Sequence, residues 1–481
     1  MNRESFRSRL GFLLVSAGCA IGIGNVWRFP YVAGDNGGGA FLVIYILCVL
    51  LLGLPIMVAE FSVGRASHRN AVGAYRALDP KWSFLGYNGV VAAFLILGFY
   101  CALGGYCLKY VTLNVGNLFH AGFGTGTLDG AGVFDALMAN QGECVIYGLI
   151  FVAITMVIVM GGVGGGIEKV CSVGMPALFI LLIISIIRAC TLDGAVEGLK
   201  YMFVPGWALA NGVIKEAPNF FSVVSTAGGQ MFFSLSLGMA AMITYGSYLD
   251  KKENLQKNAI LIIVMDTLVA LMAGLCVIPG RFALDPTGNL GGPSLLFVTM
   301  QNVFSRMGGL GPIFGILFYL LVVFAAVSSS ISLLEAVVAH FVDKAREQGK
   351  GDKRKTYSVL AGIAAGILCV VVCLDSLGTA GISPADILGM RSTMEELPTW
   401  SADWLDFFDC IAEGILMPLG ALLMSIMYGW EIGPGVVRDE IEHDEGHKMF
   451  GYTFFKICIK YVTPVCMVLV LYGQIKEFFF V

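Results

Sequence analysis

The stretch Gly18-Cys19-Ala20-Ile21-Gly22-Ile23-Gly24-Asn25-Val26-Trp27-Arg28-Phe29-Pro30 lies inside a long apolar segment, where a membrane-spanning chain is expected to run as one unbroken helix. Its residues oppose that helix. Each glycine costs about 1 kcal/mol against alanine in a helix interior, and Pro30 about 3 kcal/mol. Backbone released from helical bonding at membrane depth survives only where protein or a water-filled cavity surrounds it. A break here therefore predicts a binding site with loose carbonyls and N–H groups as ligands.

That the segment belongs in a membrane follows from composition. Of 481 residues, 57% are hydrophobic and 13% charged, with mean hydropathy +0.80; soluble domains hold about 45–50% and about 25%. Repeated, nearly uncharged runs of 18 or more residues read as transmembrane helices. The expected fold class is an all-α polytopic membrane protein, with the lipid bilayer as a partner. With a dispersed net charge of -4 no nucleic-acid partner is expected, and the 13 cysteines lack paired metal spacing. They read as buried apolar side chains. The first apolar run leads into Trp27-Arg28 without a small-residue cleavage site, so no cleavable signal is expected.

Eleven spans are expected, at roughly 9–33, 40–65, 84–116, 144–161, 166–190, 220–248, 256–282, 311–343, 356–374, 405–429 and 452–476. Basic residues collect in alternate loops: Arg3, Arg7 and Arg9, then Arg65 to Lys81, Lys251 to Lys257, and Lys344 to Lys355. Loop 117–143 has none, and loop 375–404 has only Arg391. By the positive-inside rule the N-terminus is cytoplasmic, and an odd span count puts the C-terminus outside. Loop 283–310, with Gly291-Gly292-Pro293 and an amphipathic Ser294–Phe304 run, reads as a lid or as a plain surface connector.

The sixth span is also interrupted. Ala227-Gly228-Gly229-Gln230 enters it, and Phe233-Ser234-Leu235-Ser236-Leu237-Gly238-Met239 occupies its middle. Matching interruptions five spans apart indicate a transporter of inverted repeats with its site at the midplane. In the fifth span, Gly161 to Gly166 and Pro176 form a third weak point.

Gly18–Pro30 followed by Asn36-Gly37-Gly38-Gly39-Ala40-Phe41, with Phe233–Gly238 and Ser328-Ser329-Ser330, resembles the neurotransmitter:sodium symporter family over essentially the whole chain. The likeness is to bacterial members that move hydrophobic L-amino acids. It implies a 5+5 inverted-repeat core with broken helices 1 and 6 in the inner (plasma) membrane. The expected organisation is an N-terminal segment 1–8, a first repeat 9–190 and an outer loop 191–219. A second repeat 220–430 carries the lid loop 283–310, and loop 431–451 and residues 452–481 follow.

The resemblance also implies residue roles. Sodium is a hard cation that takes oxygen ligands. One sodium site would use the Ala20 carbonyl with Asn25, Ser234 and Asp266. The second would use the carbonyls of Gly18, Ile21 and Ala325 with the hydroxyls of Ser328 and Ser329. Ser234 and Ser328 replace the family's frequent threonine and keep the hydroxyl. The Ile23 and Gly24 amides and the Tyr100 hydroxyl would hold a substrate carboxylate. Carbonyls around Ala20, Phe233 and Ser236 would hold its amino group. Monoamine carriers have Asp where Gly22 stands, so Gly22 suits a substrate bringing its own carboxylate. Ile96, Phe233, Met239, Ser329 and Leu333 would form the wall choosing the side chain. Met239 stands where leucine-preferring relatives have Phe, and a flexible thioether favours aromatic or bulky aliphatic substrates.

Asp266 is a lone carboxylate in Ile260–Leu275, a stretch otherwise without charge, and so a functional signal in itself. Chloride-dependent relatives carry Asn here; with Ala270 one turn on, Asp266 supplies the negative charge and chloride is not needed. A protonated structural aspartate is the rival reading. The family's outer gate maps to Arg28 and Asp409, and its inner gate to Arg3 and Asp343. Phe6 departs from the family's Trp. Glu60 would satisfy the broken backbone, while Glu335 would face a cavity below the site. His340, His443 and His447 read as loop or interface residues.

The implied activity is sodium-coupled symport, with two sodium ions and a hydrophobic L-amino acid as ligands. A proton-coupled carrier of the same fold and a non-transporting amino-acid sensor are the alternatives. Asn25, Ser234, Ser328 and Ser329 argue against the first, because protons need no oxygen cage. A membrane enzyme would need a nucleophile–base pair or a metal cluster at midplane depth, and the residues there are oxygens and apolar groups.

Overall fold

The computed structural model describes residues 5–284, 295–443 and 447–480. Among these it is helical throughout, with no strand. The first span is two helices, α1 (Arg9–Ala20) and α2 (Gly24–Asp35), bent by 51° at the break. Then come α3 (Gly39–Ser67), α4 (Pro80–Leu118), α5 (Gln141–Met160) and α6 (Val163–Ala189). The sixth span is divided between α7 (Phe220–Ser234) and α8 (Ala241–Gly246). The chain continues through α9 (Leu255–Leu284), α10 (Gly311–Glu347), α11 (Arg354–Asp375), α12 (Trp404–Glu431) and α13 (Tyr452–Phe479).

Among the described residues nine helices are long and apolar enough to cross a membrane, and the α1–α2 pair makes a tenth. The remaining expected span falls on α7 and α8, each too short alone for the roughly 20 residues a crossing needs. Ala227-Gly228-Gly229-Gln230, expected to interrupt this span, lies inside the intact α7. Its glycines serve close packing instead: a Cβ on Gly228 would stand 2.4 Å from Val470 Cγ2, and one on Gly229 2.8 Å from Gln474 Nε2, both on α13.

The break itself is Leu235–Ala240. Ser236, Gly238 and Ala240 there have φ of 53°, 78° and 63°. Left-handed backbone costs a non-glycine residue roughly 1–3 kcal/mol, so the surroundings must enforce it. Glu60 Oε1 accepts from the Gly238 amide at 2.7 Å, and Ser236 Oγ donates to the Cys19 carbonyl at 2.9 Å. At Gly238 a Cβ would stand 2.6 Å from the Met417 carbonyl, so glycine is required for two reasons at once.

Helices α4, α5, α10 and α11 pack on one another as a scaffold, and α1 runs against α6, α9 and α10. The Gly161–Gly166 run becomes a turn and a π-helical Val163–Ile167, with Gly162 at φ 78°, while Pro176 stays inside α6. Of the lid loop, residues 285–294 lie outside the described residues. Leu295–Thr299 is buried, with Phe297 stacked on Phe134 at 5.8 Å and against Tyr110 at 5.0 Å. That part is no surface connector.

Candidate functional site

The two breaks face each other at the centre of the molecule. Asn25, Ser234 and Asp266 are each 0% exposed. Asn25 Nδ2 donates to Asp266 Oδ1 at 2.7 Å and to Ser234 Oγ at 3.0 Å, and Ser234 Oγ donates to Asp266 Oδ2 at 2.9 Å. The Asn25 Oδ1 accepts from the Gly22 amide at 3.0 Å. Three side chains from α2, α7 and α9, distant in sequence, thus form one dry polar cluster. Buried polar groups are retained only when paired in this way.

A second cluster joins the end of α1 to α10. Ser328 Oγ lies 3.0 Å from the Ala325 carbonyl and 3.4 Å from that of Ile21. Ser329 Oγ lies 3.3, 3.2 and 3.4 Å from the carbonyls of Gly18, Cys19 and Ile21. Both clusters offer only neutral or anionic oxygens and one amide, the donor chemistry of a hard cation.

Between the clusters lies a cavity of about 20 Å³, lined by Cys19, Ala20, Gly22, Gly24, Ile96, Tyr100, Phe233, Ser236, Met239, Ser329 and Leu333. Ten of these residues were expected from the sequence, and Cys19 was not. Ile23 lines a vestibule beyond the cavity instead, and Ser234 sits behind it against Asp266. The Ile23 amide and the Tyr100 hydroxyl, both assigned to a substrate carboxylate, lie 2.8 Å apart, the amide donating. A Cβ on Gly22 would stand 2.5 Å from Tyr100 Oη and 2.6 Å from Ser329 Oγ. Gly24 lies against the Phe233 ring, and its carbonyl accepts from Gln230 Nε2 at 3.2 Å.

Tyr100 and Phe233 line both this cavity and the vestibule, which measures about 310 Å³ on the side away from the N-terminus. They form the wall between the two. Arg28 caps that wall, its guanidinium carbon 5.2 Å from the Phe233 ring centroid. Its ion-pair partner is Glu413, not the expected Asp409, although Asp409 lines the same vestibule. Asp409 and Glu413 are four residues apart on α12 and share a face, so chain position does not choose between them. Glu413 carried its own signal: like Asp266, it is a carboxylate set in an apolar run.

At the opposite end the expected Arg3–Asp343 gate cannot be paired, because Arg3 lies outside the described residues. Asp343 accepts from the Asn70 amide at 2.8 Å and from Asn70 Nδ2 at 3.0 Å. Other groups also close that end. Glu168 accepts from the Arg7 amide at 2.8 Å and the Ser8 hydroxyl at 3.2 Å, tying the N-terminal segment to α6. Phe6 packs edge-on against Phe12, Tyr245 and Tyr248 at 5.3 to 6.2 Å. Glu335 does not face a cavity as expected. It is 0% exposed and binds Arg354 at 2.6 and 2.9 Å, with the Tyr248 hydroxyl donating at 2.6 Å. His340 packs its ring on Tyr87.

A family model described as the sodium:neurotransmitter symporter family matches residues 3–118 and 136–479. The chain belongs to that family. It is 34% identical to the sodium-dependent transporter YhdH of Bacillus subtilis, over 96% of each chain. A sodium-dependent transporter of Haemophilus influenzae is 31% identical over 99% of this chain and 98% of its own length. The crystal structure of MhsT in complex with L-phenylalanine matches with a TM-score of 0.83 at 34% identity, covering 98% of this chain and all of that one. The chain is accordingly a sodium-dependent, multi-pass secondary transporter and not an enzyme.

Proposed function

We propose that this symporter imports hydrophobic L-amino acids, aromatic or bulky aliphatic, on two sodium ions by alternating access, without chloride. The observation that carries the reading is Asp266, fully buried at the meeting of the two breaks with its carboxylate between Asn25 and Ser234. A carboxylate there gives the first sodium its counter-charge, and Ala270, also buried, brings no hydroxyl for an anion. The L-phenylalanine bound by MhsT supports an aromatic substrate class.

Each group then has a task. The oxygens of Ala20, Asn25, Ser234 and Asp266 take the first sodium, and those of Gly18, Ile21, Ala325, Ser328 and Ser329 the second. A substrate carboxylate separates the Ile23 amide from Tyr100 and bridges to the first sodium. Ile96, Phe233, Met239 and Leu333 enclose the side chain. The cavity holds about one water's volume, so admitting a side chain requires Phe233 and Tyr100 to yield toward the vestibule. Arg28 with Glu413 and Asp409 shuts the outside. The Arg3–Asp343 pair, Glu168 and Phe6 shut the inside. The asymmetry of basic residues orients the N-terminus to the cytoplasm and the C-terminus outward. The inverted repeats at 9–190 and 220–430 rock about the site, and unwinding of Gly166–Pro176 lets the second sodium leave inward. Hydrogen exchange in that stretch that stays unchanged between outward- and inward-facing conditions contradicts this last step.

The direct test is thermal stability of the purified protein. Ligand at 100 times its dissociation constant adds about 2.7 kcal/mol. L-Phenylalanine or L-leucine is expected to raise the melting temperature in sodium and not in potassium. A shift equal in both salts, or one produced by a monoamine instead, contradicts the reading.

A further inference from the structure

The vestibule holds more negative charge than its one guanidinium answers. Asp403, Asp406, Asp409 and Glu413 all line it, and Arg28 is the one basic residue among the lining groups. Arg28 is engaged by Glu413, whose side chain is 1% exposed. Asp409 and Glu413 stand four residues apart on one face of α12 and both line the vestibule, their carboxyls beside each other. Among the described residues, however, Asp409 Oδ1 and Glu413 Oε2 are buried oxygens without a donor. Two ionised carboxylates offer each other only acceptors. Like charges placed this close repel, and Arg28 neutralises only one of them. One proton removes both defects, turning two facing acceptors into a donor and an acceptor.

We propose that Asp409 and Glu413 form a proton-binding site, one exchangeable proton held between the two carboxyls and loaded from the vestibule. The proton adds to a carboxylate oxygen of the pair and returns to vestibule water when it leaves. With it, Arg28 and the pair are neutral together, which suits a gate shut against Phe233. Without it, the gate carries a net negative charge at a buried position, which draws in water and favours opening. Acidic external medium therefore holds the outer gate shut. A metal cation fits less well, because the Arg28 guanidinium already stands against Glu413 Oε1.

Other ionisable groups face the pair: Tyr31 beside Arg28 on α2, Tyr100 on α4, Asp403 and Asp406 on the same helical arm, and Glu477 on α13. Asp403 serves as the control. Its carboxylate accepts from the Asp406 amide at 2.7 Å, and burial pushes it above its ordinary value.

The test needs neither substrate nor a sodium gradient, so it stands or falls apart from the transport reading. The infrared carbonyl band of protonated carboxyls is followed against pH in the purified full chain and in Glu413→Gln, Asp409→Asn and Asp403→Asn. The wild type and Asp403→Asn are expected to share one titrating carboxyl proton that both Glu413→Gln and Asp409→Asn lose. If Glu413→Gln does not purify as a folded protein, Asp409→Asn, on the more exposed partner, decides alone. A band that persists in either variant of the pair, or that disappears with Asp403→Asn as well, overturns the proposal.

Discussion

Gly22 is the residue at which the proposed function turns on space. Any side chain there overlaps Tyr100 Oη and Ser329 Oγ, at 2.5 and 2.6 Å from its Cβ, and both residues line the cavity. Gly22→Ala is expected to weaken substrate binding at least about tenfold, the equivalent of 1.4 kcal/mol, as read by radioligand binding. Unchanged affinity removes Gly22 from the site. At Met239, which is 2% exposed and lines the cavity, Met239→Phe is expected to weaken aromatic competitors more than small aliphatic ones in an uptake panel. Equal losses defeat its role in selection. Asp266 was legible in the sequence because a carboxylate in an apolar span has few reasons to be there, while Asn25 and Ser234 joined it only through the family resemblance. The same rule applies to Glu413. The family pattern points instead to Asp409 as the partner of Arg28.

Among the elements, the one least legible was the connection between α10 and α11. Glu335 and Arg354 stand on different helices and meet only in the folded chain, with Tyr248 completing the cluster just past α8. Such a pair has no local sequence period, so no spacing argument reaches it. Removing one partner of a buried ion pair costs about 3–5 kcal/mol because a charge is left uncompensated. Arg354→Leu is expected to lower the melting temperature of the purified protein markedly, and the double variant Glu335→Gln with Arg354→Leu to recover part of that loss. A double variant no better than the single one shows that packing, and not charge, dominates there. The breaks in the first and sixth spans were legible as elements, but their edges were not. In α7 the glycine pair Gly228-Gly229 serves packing on α13, and the turn comes six residues later, where Gly238 and Glu60 impose it. Composition marks a glycine without saying whether it is needed for φ or for closeness.

At the scale of the whole molecule, polytopic topology was legible because hydropathy and length alone demand it. The meeting of the two breaks was legible through the family resemblance, since no spacing brings residues 25, 234 and 266 together. Two features give the account its central claim: a buried anion and oxygens at the breaks, and an apolar cavity sealed from a charged vestibule. The claim we propose is that sodium occupancy completes the site that substrate enters and that chloride takes no part. The most direct measurement is uptake of labelled L-phenylalanine into proteoliposomes holding the purified chain, under an inward sodium gradient. Sodium is replaced by choline in one arm, and chloride by gluconate in another. The account predicts concentrative uptake that disappears in choline and is unchanged in gluconate. Uptake that persists in choline, or that stops in gluconate, contradicts it.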